Sequence, residues 1–140
     1  MKCRIPLTLL AAALLVAGCA TVPRSDLSAL QGTWQGPAKD ANPPQEVKMI
    51  ISGNNYEFHS LADSNVWYKG TFTLREDTNP RQFIAVVKDC PFPQYVGKSA
   101  MAIYSIENGV LKLAGNEPGK TEAPASFDAP DSARVDLRKR

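Results

Sequence analysis

Ala100-Met101-Ala102-Ile103-Tyr104-Ser105-Ile106-Glu107, then Asn108-Gly109, then Val110-Leu111-Lys112-Leu113-Ala114 decides the fold class of this 140-residue chain. Two runs of strand-forming residues are separated by two residues, and those two are Asn-Gly. A two-residue turn that matches the twist of its flanking strands places both central residues at positive φ, which Asn and Gly accept at least cost. The stretch is an antiparallel hairpin. Leu111 and Leu113 flank Lys112, which sets the faces of the second strand. The first strand is apolar on both faces, so its phase stays open.

The same texture extends to both sides of the hairpin. Strands are expected at Thr33 to Gly36, Glu46 to Ser52, Tyr56 to Leu61, Val66 to Arg75, Gln82 to Lys88 and Arg134 to Arg138. Turn residues separate them at Gly53-Asn54-Asn55, Ala62 to Asn65 and Asp77 to Pro80. Val47, Met49 and Ile51 form an inward row, and Val66, Tyr68, Gly70, Phe72 and Leu74 form another. Tyr56 and Phe58 oppose Glu57 and His59, and Val135 and Leu137 flank Asp136. The strand at 82–88 shares the two-faced apolar pattern of 100–107. Both are expected to be covered on the outside by the Pro-, Gly- and Asp-rich segment 115–133, anchored by Phe127. Eight short strands and no long helical period point to an all-β antiparallel barrel or sandwich. Ser25 or Asp26 is placed to cap a short helical turn carrying Leu27 and Leu30, which would plug one end of the core.

Several motifs occur in order along the chain. They are Leu30-Gln31-Gly32-Thr33-Trp34, Ser52-Gly53-Asn54-Asn55-Tyr56, Gly70-Thr71-Phe72-Thr73-Leu74, Ile103-Tyr104, Gly109-Val110-Leu111-Lys112, Pro124 with Phe127, and Leu137-Arg138. Together they resemble a family of short, uncharacterised bacterial lipocalin-like domains. The resemblance implies an eight-stranded up-and-down calycin barrel. It also implies that Gly32 and Trp34 belong to the Gly-x-Trp of the first strand, with Arg138 packed on the Trp ring. Where many members carry a Cys after the Leu-Lys motif, this chain has Ala114, and its 89–97 loop is longer than usual. The family has no agreed activity, so the resemblance bears on fold more than on function.

The amino terminus bears on location. Lys2 and Arg4 precede an apolar run from Leu7 to Ala17, and Val16-Ala17-Gly18-Cys19 closes it. This is the layout of a secretory signal, too short and interrupted for a membrane-spanning helix. The pattern resembles the lipobox of bacterial lipoproteins. It implies cleavage before Cys19 and acylation of that residue, giving a stable anchor. Residues 1–18 are then the signal peptide, 19–26 a lipidated tether and 27–140 the barrel domain. An extended tether of this length reaches only about 20–25 Å at ~3.4 Å per residue. Ala20, rather than Asp, directs the expectation to the outer membrane, with the domain facing the periplasm.

Charge and cysteine content narrow the function classes. The chain has 16 basic and 14 acidic residues. Loss of Lys2 and Arg4 leaves 14 against 14. A neutral domain whose one basic cluster is the terminal Arg138-Lys139-Arg140 gives no support for nucleic-acid binding. With Cys3 removed and Cys19 acylated, only Cys90 remains, which excludes an intramolecular disulfide. Cys90 reads as a small apolar residue at a loop base, with an intermolecular disulfide or a reactive thiol as the alternative.

No catalytic set emerges. His59 is the only histidine, so no His-based zinc cluster can form. No Gly-x-Ser-x-Gly elbow and no Gly-rich phosphate loop is present, and the Asp residues fall in turns, where they serve the local backbone. The expectation is a non-enzyme without cofactor or metal. An eight-stranded barrel is just wide enough to fill with side chains or to hold one small ligand. Met49, Tyr56, Phe58, Tyr68, Phe72 and Met101 are the candidate inward residues. Their bulk argues for a largely filled interior, with room for a ligand at the open mouth. The leading expectation is an outer-membrane lipoprotein that binds a small apolar or amphipathic molecule. The alternative is an envelope protein-interaction module, such as an inhibitor or immunity lipoprotein, working through loops 37–45, 89–98 and 115–133.

Overall fold

A computed structural model describes residues 25–39 and 43–140. The expected signal peptide, Cys19 and the tether as far as residue 24 lie outside the described residues, as do residues 40–42 of the first loop. A five-residue helix, α1 (Asp26–Leu30), precedes eight strands: β1 (Gly32–Ala38), β2 (Gln45–Ser52), β3 (Asn55–Ser60), β4 (Trp67–Arg75), β5 (Arg81–Asp89), β6 (Ser99–Glu107), β7 (Val110–Gly115) and β8 (Ala133–Lys139). Each strand pairs antiparallel with the next, and β8 returns to β1, so the sheet is a closed up-and-down barrel. Closure leaves no free strand edge. The last seam is formed by Trp34 opposite Lys139 and Gln35 opposite Arg138. It is extended by Lys39 N–H to Arg134 C=O at 2.7 Å and Arg140 N–H to Thr33 C=O at 2.8 Å.

The Asn108-Gly109 turn has φ of 52° and 77°, both positive as the hairpin requires. Gly32, where the chain swings from α1 into β1, has φ of 123°, a region closed to residues with a Cβ. Gly70 serves a different need. The β4–β5 register shifts between Lys69 and Gly70, and a Cβ on Gly70 would lie 1.8 Å from the Val86 carbonyl oxygen. The two backbones approach closely there because nothing stands between them.

One end of the barrel is sealed by α1. Ser25 Oγ caps the helix by accepting from Ser28 N–H at 3.1 Å, one of the groups that a helix start leaves unpaired. Leu30 is fully buried in the core, and Trp34 Nε1 donates to its carbonyl at 2.8 Å. Gln31 reaches the β2–β3 turn, accepting from Gly53 N–H at 2.6 Å and donating to Gly53 C=O at 3.0 Å. Asp26 Oδ2 takes Arg81 and the Tyr104 hydroxyl, each at 2.6 Å. The closed half is packed with Ile51, Phe72, Tyr104, Leu111 and Leu137.

Two expectations are corrected here. The cation over the Trp34 ring is Lys139, with Nζ 5.2 Å from the centroid and a hydrogen bond to Ala29 C=O, whereas Arg138 is exposed. Trp34 pairs directly with Lys139, and that register decides which side chain meets the ring. In segment 116–132 the buried residue is Pro124, while Phe127 is half-buried under Lys112, whose Nζ is 5.5 Å from its ring centroid. The segment does lie on the outer face, tied to β6 by Asn116 N–H to Met101 C=O and Gly119 N–H to Ser99 C=O. That cover accounts for the burial of Ile103 and Ala114, which pair on the outer face of β6 and β7.

Candidate functional site at the open end of the barrel

The end opposite α1 is open. Loops 61–66, 90–98 and 116–132 surround it, and a cavity of about 600 Å³ runs from it into the barrel. This volume falls within the usual range of small-molecule sites.

The cavity exists because the inward residues differ in size around the barrel. Ala85 on β5, Ala100 and Ala102 on β6, Gly115 on β7 and Ala133 on β8 form one thin wall. Tyr56 and Phe58 on β3, with Tyr68 on β4, form the opposite aromatic wall. Met49, Phe83, Leu113 and Val135 line it deeper, where Phe83 stacks on Phe72 with centroids 4.5 Å apart. An apolar chamber results, with wide space beside the alanines.

Polar groups gather toward the mouth. Tyr95, in the 3-10 turn Pro93–Tyr95, donates its hydroxyl to Glu117 Oε1 at 2.5 Å. This bond joins loop 90–98 to segment 116–132 across the rim. Tyr68, Phe92 and Tyr95 form an aromatic group with centroids 5.9–6.5 Å apart. Asn116, Asp131 and Ser132 complete the rim. Tyr56 is 5% exposed and lines the cavity. Burial, then the Cys90 thiol and Tyr68, push its pKa up to about 12, so it remains a neutral donor and acceptor across the physiological range.

The six ligand candidates separate. Met49, Tyr56, Phe58 and Tyr68 line the cavity. Phe72 lies outside the lining, 1% exposed and stacked against Phe83. Met101 is on the outer face of β6, since Tyr104 turns inward and takes Ala100 and Ala102 with it. The interior is accordingly less filled than the bulky candidates implied. Sequence alternation does not reveal the alanine wall, because the wall depends on the phase of β6, whose two faces are both apolar. Parity gives the missing signal: with Tyr104 inward, Ala100, Ala102 and Ile106 fall on the same face.

Elsewhere the groups are structural. Cys90 is buried and its thiol donates to Phe92 C=O at 3.2 Å, holding the loop base. His59 lies 3.1 Å from Glu57 on the outer face, and Glu57 also faces Lys69 at 3.8 Å. Among the described residues no group of three His, Cys, Asp or Glu side chains is placed to hold a metal ion, and no helix is long and apolar enough to cross a membrane.

No known family model matches the chain, and no curated protein or solved structure matches it.

Proposed function

We propose that this protein is a non-enzymatic lipoprotein of the bacterial outer membrane, lipocalin-like in type, whose barrel binds a small apolar or amphipathic molecule. The observation that carries the reading is the cavity of about 600 Å³, apolar in its depth and ringed by tyrosines and polar groups at its one mouth. A site of this kind draws binding energy from apolar burial and orientation from a few placed polar atoms. Tyr56 supplies one such atom inside, and Tyr95, Asn116 and Ser132 supply others at the rim.

The envelope location rests on the signal-like amino terminus and the lipobox pattern ending at Cys19. Ser25 caps α1 at the closed end. A lipid on Cys19 would therefore hold the barrel by its closed end and leave the mouth facing away from the anchoring membrane.

Native mass spectrometry of residues 20–140, purified from a periplasmic preparation, tests the reading. The expected result is an added small-molecule mass that disappears on denaturation. A bare chain mass, together with no displacement of a neutral apolar fluorophore, would overturn it. A protein-interaction role is the second reading. It is favoured by Leu61 and Val96, the two exposed large apolar side chains among the described residues, which both lie on loops at the open end. A stoichiometric envelope partner that is lost on Leu61→Ser with Val96→Ser is its test.

A further inference from the structure

We propose that the cavity selects single-chain amphiphiles carrying an ammonium head, with Glu117 as the principal counter-charge. This rests on the ligand-binding reading above and names the class of ligand that the site takes.

Among the described residues, the charged side chains lining the cavity are Glu117 and Asp131, both acidic and both at the mouth. None of the described Lys, Arg or His residues lines it. Of the cations near this end, Lys39 pairs with Asp136 at 3.4 Å and Arg134 with Asp128 at 3.0 Å, while the Lys98 side chain lies beside Gly119, outside the cavity lining. A carboxylate head entering the mouth would meet Glu117 with no cation in the lining to offset it. An ammonium head meets an attractive field there.

The aromatic groups act in the same direction. Tyr68 and Tyr95 line the mouth beside Glu117. A cation over an electron-rich ring is attracted by the ring quadrupole, and aromatic rings around an ammonium are a recurring recognition device. Tyr95 already donates to Glu117, which fixes the carboxylate at the rim while leaving acceptor capacity for an N–H of the head. Below the head the thin wall at Ala100 and Ala102 leaves apolar space for a chain. The second polar feature is independent of the acidic pair. Tyr56 lines the chamber and is 5% exposed. Its phenol is available as a donor and acceptor for a polar atom carried part-way along the ligand.

The test compares decylamine, decanol and decanoate, each below its micellar concentration, by displacement of a neutral apolar fluorophore from residues 20–140. The expected order is decylamine at least tenfold tighter than decanol, with decanoate weakest. Glu117→Gln keeps an acceptor for Tyr95 and should abolish most of the preference for decylamine over decanol. Raising the salt concentration should weaken decylamine and not decanol. Binding of all three probes with equal affinity, or preference for decanoate, overturns the ammonium selectivity and leaves the ligand-binding reading standing. Failure of the fluorophore and all three probes to bind overturns both. An amine preference that survives Glu117→Gln and also Asp131→Asn overturns the assignment of the head to the acidic rim.

Discussion

Tyr104 donates its hydroxyl to Asp26 Oδ2 at 2.6 Å, linking β6 to the helix that seals the barrel, 78 residues away in sequence. Arg81 reaches the same oxygen at 2.6 Å and lies over the Tyr104 ring, 5.1 Å from its centroid. A hydrogen bond to a charged group is worth about 1.5–3 kcal/mol, and this one is partly exposed. Tyr104→Phe should therefore destabilise the domain by about 1–2 kcal/mol, or roughly 3–8 °C in Tm. Asp26→Ala removes the acceptor for both partners and should cost more. Calorimetry of the two variants checks the order; equal losses would mean that Arg81 contributes nothing through Asp26.

The position over Trp34 gives a second comparison. Lys139 Nζ lies 5.2 Å from the ring centroid and also donates to Ala29 C=O at 3.2 Å, while Arg138 is exposed. Lys139→Ala should cost about 0.5–1.5 kcal/mol, from a cation–π contact and a helix-end carbonyl contact together. Arg138→Ala should stay within about 0.5 kcal/mol of the parent, as surface substitutions do. Urea unfolding of both variants separates them. A larger loss for Arg138→Ala would restore the role that the family resemblance implied for it.

Those two cases show where sequence was enough and where it was not. Eight strands, the Asn108-Gly109 turn, the Ser25-capped helix and the inward rows at Val47, Met49, Ile51 and Leu111, Leu113 follow from local turn chemistry and period-two patterning. Such features depend on neighbours in sequence. Which cation covers Trp34 depends on the β1–β8 register, a relation between residues about a hundred positions apart that no local pattern encodes. The phase of β6 was hidden for a related reason. Segment 116–132 covers its outer face, so Ile103 and Tyr104 are both buried and alternation vanishes. Met101 and the two alanines beside it therefore exchanged places between expectation and structure. The cavity is a consequence of that exchange.

Gly70 carries a prediction about the backbone. A Cβ there would lie 1.8 Å from Val86 C=O and about 3.0 Å from Lys88 N, both main-chain atoms that cannot rotate away. Gly70→Ala must push β4 and β5 apart at their register shift. The expected loss is at least about 3 kcal/mol, the scale of severe overpacking. Gly53→Ala is the contrasting variant. Nothing lies within 4 Å of its added Cβ, but φ of 62° still strains it, so about 1 kcal/mol is expected. Comparable losses in the two variants would show that the β4–β5 approach yields more readily than its geometry implies.

Alkaline pH probes the buried phenols. The Tyr56 pKa is raised from 10.0 to about 12, first by burial and then by Cys90 and Tyr68. Tyr104 is raised as well, by burial and then by its bond to Asp26. A phenol whose pKa is higher when folded holds its proton after the unfolded chain has released it. Stability is then constant below about pH 10 and falls as pH rises toward the folded value. Each such tyrosine contributes a slope of up to about 1.4 kcal/mol per pH unit in that window. Tyr56→Phe should flatten the decline by about one such contribution while leaving stability at neutral pH nearly unchanged. Denaturant midpoints measured from neutral to pH 11 check the sign. A stability that rises with pH across that window would contradict the burial of these hydroxyls.

The thin wall offers the most direct control over the chamber. Ala102 lines the cavity from β6, with Gly115 across the β6–β7 pair and the aromatic wall of β3 and β4 opposite. Ala102→Phe would project a ring into space that holds no side chain, rather than into a close-packed core. Its cost should accordingly be small, within about 1.5 kcal/mol, and added apolar contact could make it stabilising. Binding of the neutral fluorophore should fall at least tenfold. Met101→Phe, at the next position on the covered outer face, is the control and should leave that affinity unchanged. If Ala102→Phe folds normally and binds as well as the parent, the chamber is not where the ligand sits. If Met101→Phe instead abolishes binding with the fold intact, the outer face under segment 116–132 becomes the site to examine.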